Sequence, residues 1–436
     1  MQTNRRTFMA ATGSAFAALL ASGCMRYSGD PSGSLAAGPY GPLLPDPAGL
    51  LDLPKGFSYR IISKLGDAMS DGGTVPDRAD GMGCFDLGDG TIALVRNHEL
   101  KVNHDVGGEL AEGFDRNEAG AILPGGTTNL VLDAATLEIV REFRSLGGTI
   151  RNCAGGITPW GTWLTCEEDV TRAGDGVMRD HGWVFEVPAN AQGLVNPAPI
   201  KAMGRFNHEA ACVDPATGFV YLTEDRDDSL LYRYVPDVPG DLASGGKLQA
   251  LVADGIADSR NWRRQDMNPG SWVGGSWIDL DNVESPEDDL RVRGAAGGAT
   301  LFARGEGIHM GDGELYFCCT SGGATELGQI FRLALAEDGS ARLQLFFESD
   351  DPTQFHYGDN LTVSPNGHLI VCEDQSGDVT TNHLRGITQA GEAYPLGWLT
   401  TETELAGACW SPDGKTLFVN AYSPTATLAI TGPWAA

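Results

Sequence analysis

Positive charge is scarce in this 436-residue sequence: 30 lysines and arginines stand against 58 acids, a formal net charge of −28. Arg5 and Arg6 fall in the first 24 residues, so without that segment the balance is 28 against 58, or −30. Such a surface repels nucleic acid and anionic lipid. It also repels a phosphate ester unless bound cations reverse the local sign. Long apolar runs are missing too: past the N-terminal stretch, no segment is apolar enough to cross a membrane. No G-x-S-x-G elbow offers a nucleophilic serine. Glycine patterns such as Gly305-Glu306-Gly307 lack the strand-to-helix setting of a nucleotide loop.

Turn-forming residues are plentiful. With 59 glycines, 23 prolines and 42% hydrophobic residues, the chain can bury a large core, and it reads as many short strands joined by tight turns. Six stretches share one pattern of turn, apolar β-rich run and polar end: GDGTIALVRNHE, PWGTWLTCEED, ATGFVYLTEDR, GDGELYFCCTS, PNGHLIVCEDQ and PDGKTLFVNAY. Their turn glycines stand at 90, 161, 218, 313, 367 and 414, and a small, apolar run precedes each turn. Spacings of 47 to 95 residues suit four-stranded blades with insertions, since a blade needs about 40–50 residues. The expectation is an all-β, six-bladed β-propeller with inserted loops over residues 51–436. A β-sandwich does not explain sixfold spacing. The longest interval predicts an inserted excursion with a small helix near Val283–Val292.

The N-terminus reads as a targeting segment. Residues 1–24 pair Arg5 and Arg6 ahead of Phe8 and a small-residue apolar stretch, the pattern of a twin-arginine export signal. Leu20-Ala21-Ser22-Gly23-Cys24 resembles a lipoprotein cleavage site, so membrane attachment through a lipid at Cys24 and simple cleavage nearby both stay open. Residues 25–50, rich in glycine, proline and serine, read as a linker. The expected location is the periplasm or cell envelope, with the twin-arginine machinery as export partner.

Nine cysteines in an exported chain raise the question of disulfides. Cys84, Cys212, Cys318, Cys372 and Cys409 lie in apolar runs, where a thiol behaves as a small hydrophobe. Cys153, between Asn152 and Ala154-Gly155-Gly156, does not. In an antiparallel hairpin the start of the first strand and the end of the second share one end. That rule brings Cys153 beside Glu167-Glu168-Asp169, Glu209 beside Glu224-Asp225, and Asp359-Asn360 beside Glu373-Asp374, with Glu306 and Asn97-His98-Glu99 at the same level. Such a carboxylate ring calls for cations. The oxygen donors suit calcium and the thiolate a transition metal. Arg304 would be the lone strong cation there, suited to a phosphate or carboxylate.

These motifs resemble the PhoX-type bacterial alkaline phosphatases. The resemblance rests on the twin-arginine leader, NCAGGITPWGTWLTCEED, GRFNHEAACVDPATGFVYLTED, FARGEGIHMGDGELYF and GDNLTVSPNGHLIVCED, and spans roughly residues 50 to 425. It implies a six-bladed propeller that hydrolyses small phosphate monoesters with iron and calcium in its channel. By resemblance, Cys153 matches an iron ligand; Glu209, Glu306, Asp359, Glu373 and one of Glu167 and Glu168 match metal carboxylates; Arg304 matches the arginine on substrate phosphate. The family's asparagine near the substrate corresponds to Asn97 or Asn129. Gly305 stands where the family commonly has proline. Alternative readings are a calcium-dependent lactonase or esterase propeller, and a non-catalytic metal-stabilised binding propeller.

Overall fold

The computed structural model describes residues 38–336, 339–374 and 382–434. The export segment 1–24 with Cys24, and the linker as far as residue 37, lie outside the described residues. The chain is almost wholly β. In order come β1 (Leu43–Leu44), β2 (Leu51–Pro54), β3 (Ser58–Lys64), β4 (Ala79–Asp86), β5 (Thr91–His98), β6 (Gly125–Asp133) and β7 (Ile139–Thr149). Next are β8 (Asn152–Ile157), β9 (Thr162–Glu167), β10 (Val184–Pro188), β11 (His208–Val213), β12 (Val220–Glu224), β13 (Tyr232–Val238), β14 (Asp241–Ala253) and β15 (Trp272–Asp279). A helix α1 (Leu290–Ala296) precedes β16 (Gly305–Met310), β17 (Glu314–Cys319), β18 (Gln329–Leu335) and β19 (Ala341–Glu348). The last strands are β20 (Gly358–Val363), β21 (Leu369–Glu373), β22 (His383–Ile387), β23 (Ala393–Leu399), β24 (Leu405–Trp410), β25 (Thr416–Ala421) and β26 (Ala426–Thr431).

The strands form antiparallel sheets in a propeller-like arrangement. Two sheets have the orders β4-β5-β6-β7 and β8-β9-β10. A nine-stranded sheet runs β11-β12-β13-β14-β15-β19-β18-β17-β16, with β15 bridging two four-strand groups. A fourth, β1-β2-β23-β22-β21-β20, recruits residues 43–44 from the stretch read as linker, and Asp46 there accepts hydrogen bonds from the backbone of Leu50 and the hydroxyl of Tyr59. In the fifth, N-terminal β3 pairs with β26 and so joins the two ends of the domain. The first strands of the hairpins pack on one another in turn: β4 on β8, β8 on β11, β11 on β16, β16 on β20, β20 on β24, and β24 back on β4.

Small residues let these central strands approach. A Cβ on Gly156 would stand 1.9 Å from the carbonyl oxygen of Ala211 on the neighbouring strand, and one on Gly81 would stand 2.5 Å from Cα of Ala154. Apolar layers fill the space between sheets, for example Leu164, Val184, Val220, Leu222, Tyr232 and Leu248. The joined ends carry a buried polar knot: Arg96 pairs with Glu142 at 2.8 Å and donates to Thr427, while Ser63 donates to the same carboxylate. Every cysteine among the described residues is an unpaired thiol. No helix among them is long and apolar enough to cross a membrane.

The inserted helix begins seven residues later than the sequence suggested. Asn282, Ser285 and Asp288 all have positive φ, and Pro286 disfavours helical backbone at residue 285, so turns occupy this stretch until Asp289.

Replacing Gly156 by alanine forces β8 and β11 apart. The expected outcome is a loss of roughly 1–3 kcal/mol of stability, read as an earlier midpoint in denaturant unfolding. Alanine at Gly161, whose Cβ meets nothing within 4 Å but which has φ +84, probes backbone strain without the clash.

Candidate active site

Side-chain alternation decides which hairpin residues meet. The opening pairs of five hairpins are Ala79 with His98, Asn152 with Glu167, His208 with Glu224, Gly305 with Cys319, and Gly358 with Glu373. Immediately after each pair the first strand carries an extra residue, a β-bulge, which re-aims the side chains that follow. The next first-strand residues, Asp80, Cys153, Glu209, Glu306 and Asp359, turn toward the central mouth. So do the residues just past the second strands, Glu99, Glu168, Asp225 and Asp374. Glu167, Glu224 and Glu373 are one position out of phase and face their own sheets.

Two donor groups result. Cys153, Glu168 and Glu209 offer ligand atoms within 4.8 Å of one another, and so do Glu209, Glu306 and Asp359; Glu209 is common to both, and all are buried. The Cys153 thiol lies 3.3 Å from Glu209 Oε1 and 3.6 Å from Asp80 Oδ2. Asp80 Oδ1 and Glu209 Oε2 are buried with no hydrogen-bond partner among the described residues. Unpartnered buried carboxylate oxygens are costly, and cations would satisfy them. The donor set therefore fits metal ions: oxygen atoms for a hard cation and one sulfur for a transition metal.

The electrostatics agree. Burial, then the nearby charges of Asp80, Glu209 and Glu168, pushes the Cys153 thiol well above its ordinary range. Burial and the charges of Glu306 and Asp359 likewise raise Glu209. Burial and Asp359 raise Asp80, and burial and Asp225 raise Glu306. Burial, followed by Asp374, pushes Asp359 up to about 7. Glu404 is raised by burial and by its hydrogen bond with Asp374.

Arginines border the acids. Arg304 donates from Nε to Asp225 Oδ1 at 2.7 Å and from Nη2 to Asp225 Oδ2 at 3.0 Å and Glu306 Oε1 at 2.9 Å. Its Nη1 has no hydrogen-bond partner among the described residues, and its side chain is 31% exposed. The sequence made Arg304 the lone strong cation at the mouth, and the structure adds two more. Arg151 joins Glu99 and Glu168 at 2.6 and 2.5 Å, and Arg78 donates to Tyr422, whose hydroxyl meets Glu99. Arg78, Arg151, Arg304 and Tyr357 each precede a central strand and each has positive φ, from 45° to 57°. Non-glycine residues held there store backbone strain of the kind that gathers at functional sites. Asn207 occupies the same position before β11 and donates to Glu168.

The structure brings together Cys153, Glu168, Glu209, Glu306, Asp359 and Arg304. It leaves four expected residues elsewhere. Glu167 is the idle member of its pair: it accepts from His181, from the backbone of Ile150 and from Gly182 and Trp183. Glu373 accepts from Arg385 and His383; burial would raise it, but these neighbours hold it down to about 2. Asn97 is fully buried behind Cys153, donating to the carbonyls of Cys153 and Ala154 and accepting from Trp163, so it holds β8 rather than reaching a substrate. Asn129 is buried on the third strand of its sheet, donating to Ala189. His98 and His208 also face their sheets, bonded to Asp77 and Thr128 and to Gly204.

Sequence reasoning did not single out Asp80, Arg151 or Asn207. The signal was the strand-start alignment itself, R-A-D-G, R-N-C-A, N-H-E-A, R-G-E-G and Y-G-D-N, in which position one aims at the rim and position three at the centre. Toward the turns, the central channel becomes apolar, lined by Met82, Ile157, Trp163, Ile308, Leu361 and Trp410.

The family model for alkaline phosphatase PhoX matches residues 38–425. Among solved structures, PhoX of Pseudomonas fluorescens, in complex with the transition-state analogue vanadate, is similar in fold: 20% identity, 88% of this chain and 96% of that chain covered, TM-score 0.70. A gluconolactonase of Xanthomonas campestris matches at 14% identity over 91% of this chain and 99% of its own, with TM-score 0.43. No curated protein sequence matches the chain.

A carboxyl raised in the folded state contributes stability below its unfolded pKa and loses it as pH climbs toward the folded value. For Asp359 that window runs from about 4 to about 7. In metal-stripped protein, the stability gap favouring Asp359→Asn over wild type is expected to widen between pH 5 and 7, by up to about 1.4 kcal/mol per pH unit. Common contributions from buried histidines cancel in the difference. Adding calcium should close or reverse the gap; a gap independent of pH contradicts the carboxylate ring.

Proposed function

The chain belongs to the alkaline phosphatase PhoX family, and from that premise we propose that it hydrolyses small phosphate monoesters at a cation cluster held in the mouth of a six-bladed propeller. The observation carrying this reading is the buried group of Cys153, Glu168, Glu209, Glu306 and Asp359 next to Arg304. Cys153 with Glu168 and Glu209 suits iron, and the oxygen set of Glu209, Glu306 and Asp359 suits calcium. When bound, such ions neutralise phosphoryl charge and polarise its oxygens. The six-blade reading is supported by the closed succession β4, β8, β11, β16, β20 and β24, with β15 bridging two blades.

The chain's own groups have separable tasks. Arg304 is fixed by Asp225 through two bonds, leaving Nη1 to hold a non-bridging phosphate oxygen as charge builds. Arg151 clamps Glu99 and Glu168, so their carboxylates arrive already oriented. Asn97 fixes the backbone of Cys153 from behind. The buried acids act as ligands rather than proton donors. An anionic substrate then meets local positive charge inside an acidic surface. We extend the proposal to the chain's route: residues 1–24 direct twin-arginine export to the periplasm or envelope, Cys24 is open to lipidation, and residues 51–436 form the single catalytic propeller.

The mature protein is expected to carry iron and calcium on elemental analysis and to hydrolyse p-nitrophenyl phosphate at alkaline pH. Arg304→Ala should lower kcat about 10²–10³-fold. Cys153→Ser should lose iron and activity together, whereas a calcium-only lactonase would tolerate it. Purified protein with neither bound metal nor phosphate release defeats the proposal.

A further inference from the structure

Glu373 is out of phase with the mouth, and its surroundings differ in kind. It ends β21, fully buried, where His356 comes from the segment before β20 and His383 from the start of β22. His356, Glu373 and His383 offer ligand atoms that all lie within 4.8 Å of one another. His383 Nδ1 is 3.0 Å from Glu373 Oε2, and His356 Nε2 is 3.5 Å from the same oxygen. Ligands about 2.0–2.1 Å from a tetrahedral ion stand about 3.3–3.4 Å apart, so the 3.5 Å spacing is close to such a shell and the 3.0 Å hydrogen-bonded one would have to open by a few tenths of an ångström. We propose that His356, Glu373 and His383 form a second metal site, separate from the mouth, for one divalent first-row transition ion of the zinc type.

The donor set selects the class of ion. Two imidazoles and one carboxylate suit zinc and its transition-metal neighbours, whereas calcium prefers a shell of oxygens. Three protein ligands leave a position open for water. The outer contacts are already in place. Arg385 donates to Glu373 Oε1 at 2.7 Å and the backbone N–H of His356 donates to it at 3.2 Å, turning Oε2 toward the imidazoles. The backbone N–H of His383 also donates to Oε2, at 2.9 Å, and the His383 ring stacks on Trp398 with an interplanar angle of 12°. Such outer-sphere bonds fix ligands in metal sites.

An independent observation points the same way. His356 is only 7% exposed, yet among the described residues its Nδ1 has no hydrogen-bond partner, and its Nε2 approaches Glu373 Oε2 at 3.5 Å. An ion on Nε2 would engage the ring nitrogen that faces Glu373, with Nδ1 then carrying the proton and still lacking an acceptor among the described residues. Arg385 Nη2 also stands 3.3 Å from His383 Nδ1, and its charge opposes any cation, so an ion held here must gain enough from its bonds to the imidazoles to outweigh that repulsion.

The test uses metal-stripped mature protein titrated with cobalt and, separately, with zinc. Cobalt at this site should give visible d–d absorption with no thiolate charge-transfer band, and the signal should survive Cys153→Ser. His356→Gln and His383→Gln should each remove one equivalent of zinc and that absorption, with far-ultraviolet circular dichroism unchanged. Equal zinc stoichiometry and an unchanged spectrum in both variants would falsify the site and leave a hydrogen-bonded network only. Should the variants fold poorly, anomalous scattering at the zinc edge from zinc-soaked wild-type crystals decides: a peak between the three side chains supports the site, and its absence overturns it. None of these readouts depends on phosphatase turnover.

Discussion

Like charges gathered out of water govern this molecule. Asp80, Glu168, Glu209, Glu306 and Asp359 converge with the Cys153 thiol in a buried group, and two carboxylate oxygens there have no partner among the described residues. Without cations, protons must supply the missing charge, which is why burial and mutual repulsion raise these groups together. The arginines at the rim neutralise only part of the set and are themselves tied to particular carboxylates. The channel beyond is lined mainly by apolar residues. The chain just before the central strands carries the positive-φ residues Arg78, Arg151, Arg304 and Tyr357.

The frame meets that demand by repetition. Each central strand begins with a bulged hairpin opening, and glycine and alanine allow neighbouring strands to pack almost backbone to backbone. Close approach brings the third residue of each start sequence to the centre, while the alternate positions return to their own sheets. There they meet blade-interior partners: His181 for Glu167, Tyr232 for Glu224, and Arg385 with two histidines for Glu373. Adjacent acids in sequence thus have opposite fates, one in the shared mouth and one inside a sheet.

Much of this was written in the local pattern. Turn glycines and apolar runs announced hairpins, and the hairpin rule alone placed Cys153 near its acidic partner strand. The same rule could not choose between Glu167 and Glu168, because a one-residue bulge inverts which of two neighbours faces the centre. Family resemblance offered Asn97 or Asn129 as the asparagine near the substrate, but both are held by backbone carbonyls distant in the chain: Cys153 and Ala154 on β8 for Asn97, and Ala189 just past β10 for Asn129. The inserted helix slipped from its expected start because consecutive positive-φ turns and Pro286 hold the preceding stretch.

What the sequence determined by itself was composition with period: an all-β chain, repeated hairpins, an acidic surface and a thiol set among polar residues. Those follow from nearest-neighbour chemistry, which a linear string carries. The tertiary structure alone decided phase and partnership. It brought Asp80 and Arg151 to the mouth, withdrew Glu167 and Glu373 from it, and set His356 and His383 around Glu373. Bulges and inter-sheet distances fix these outcomes, and both depend on residues far apart in the chain.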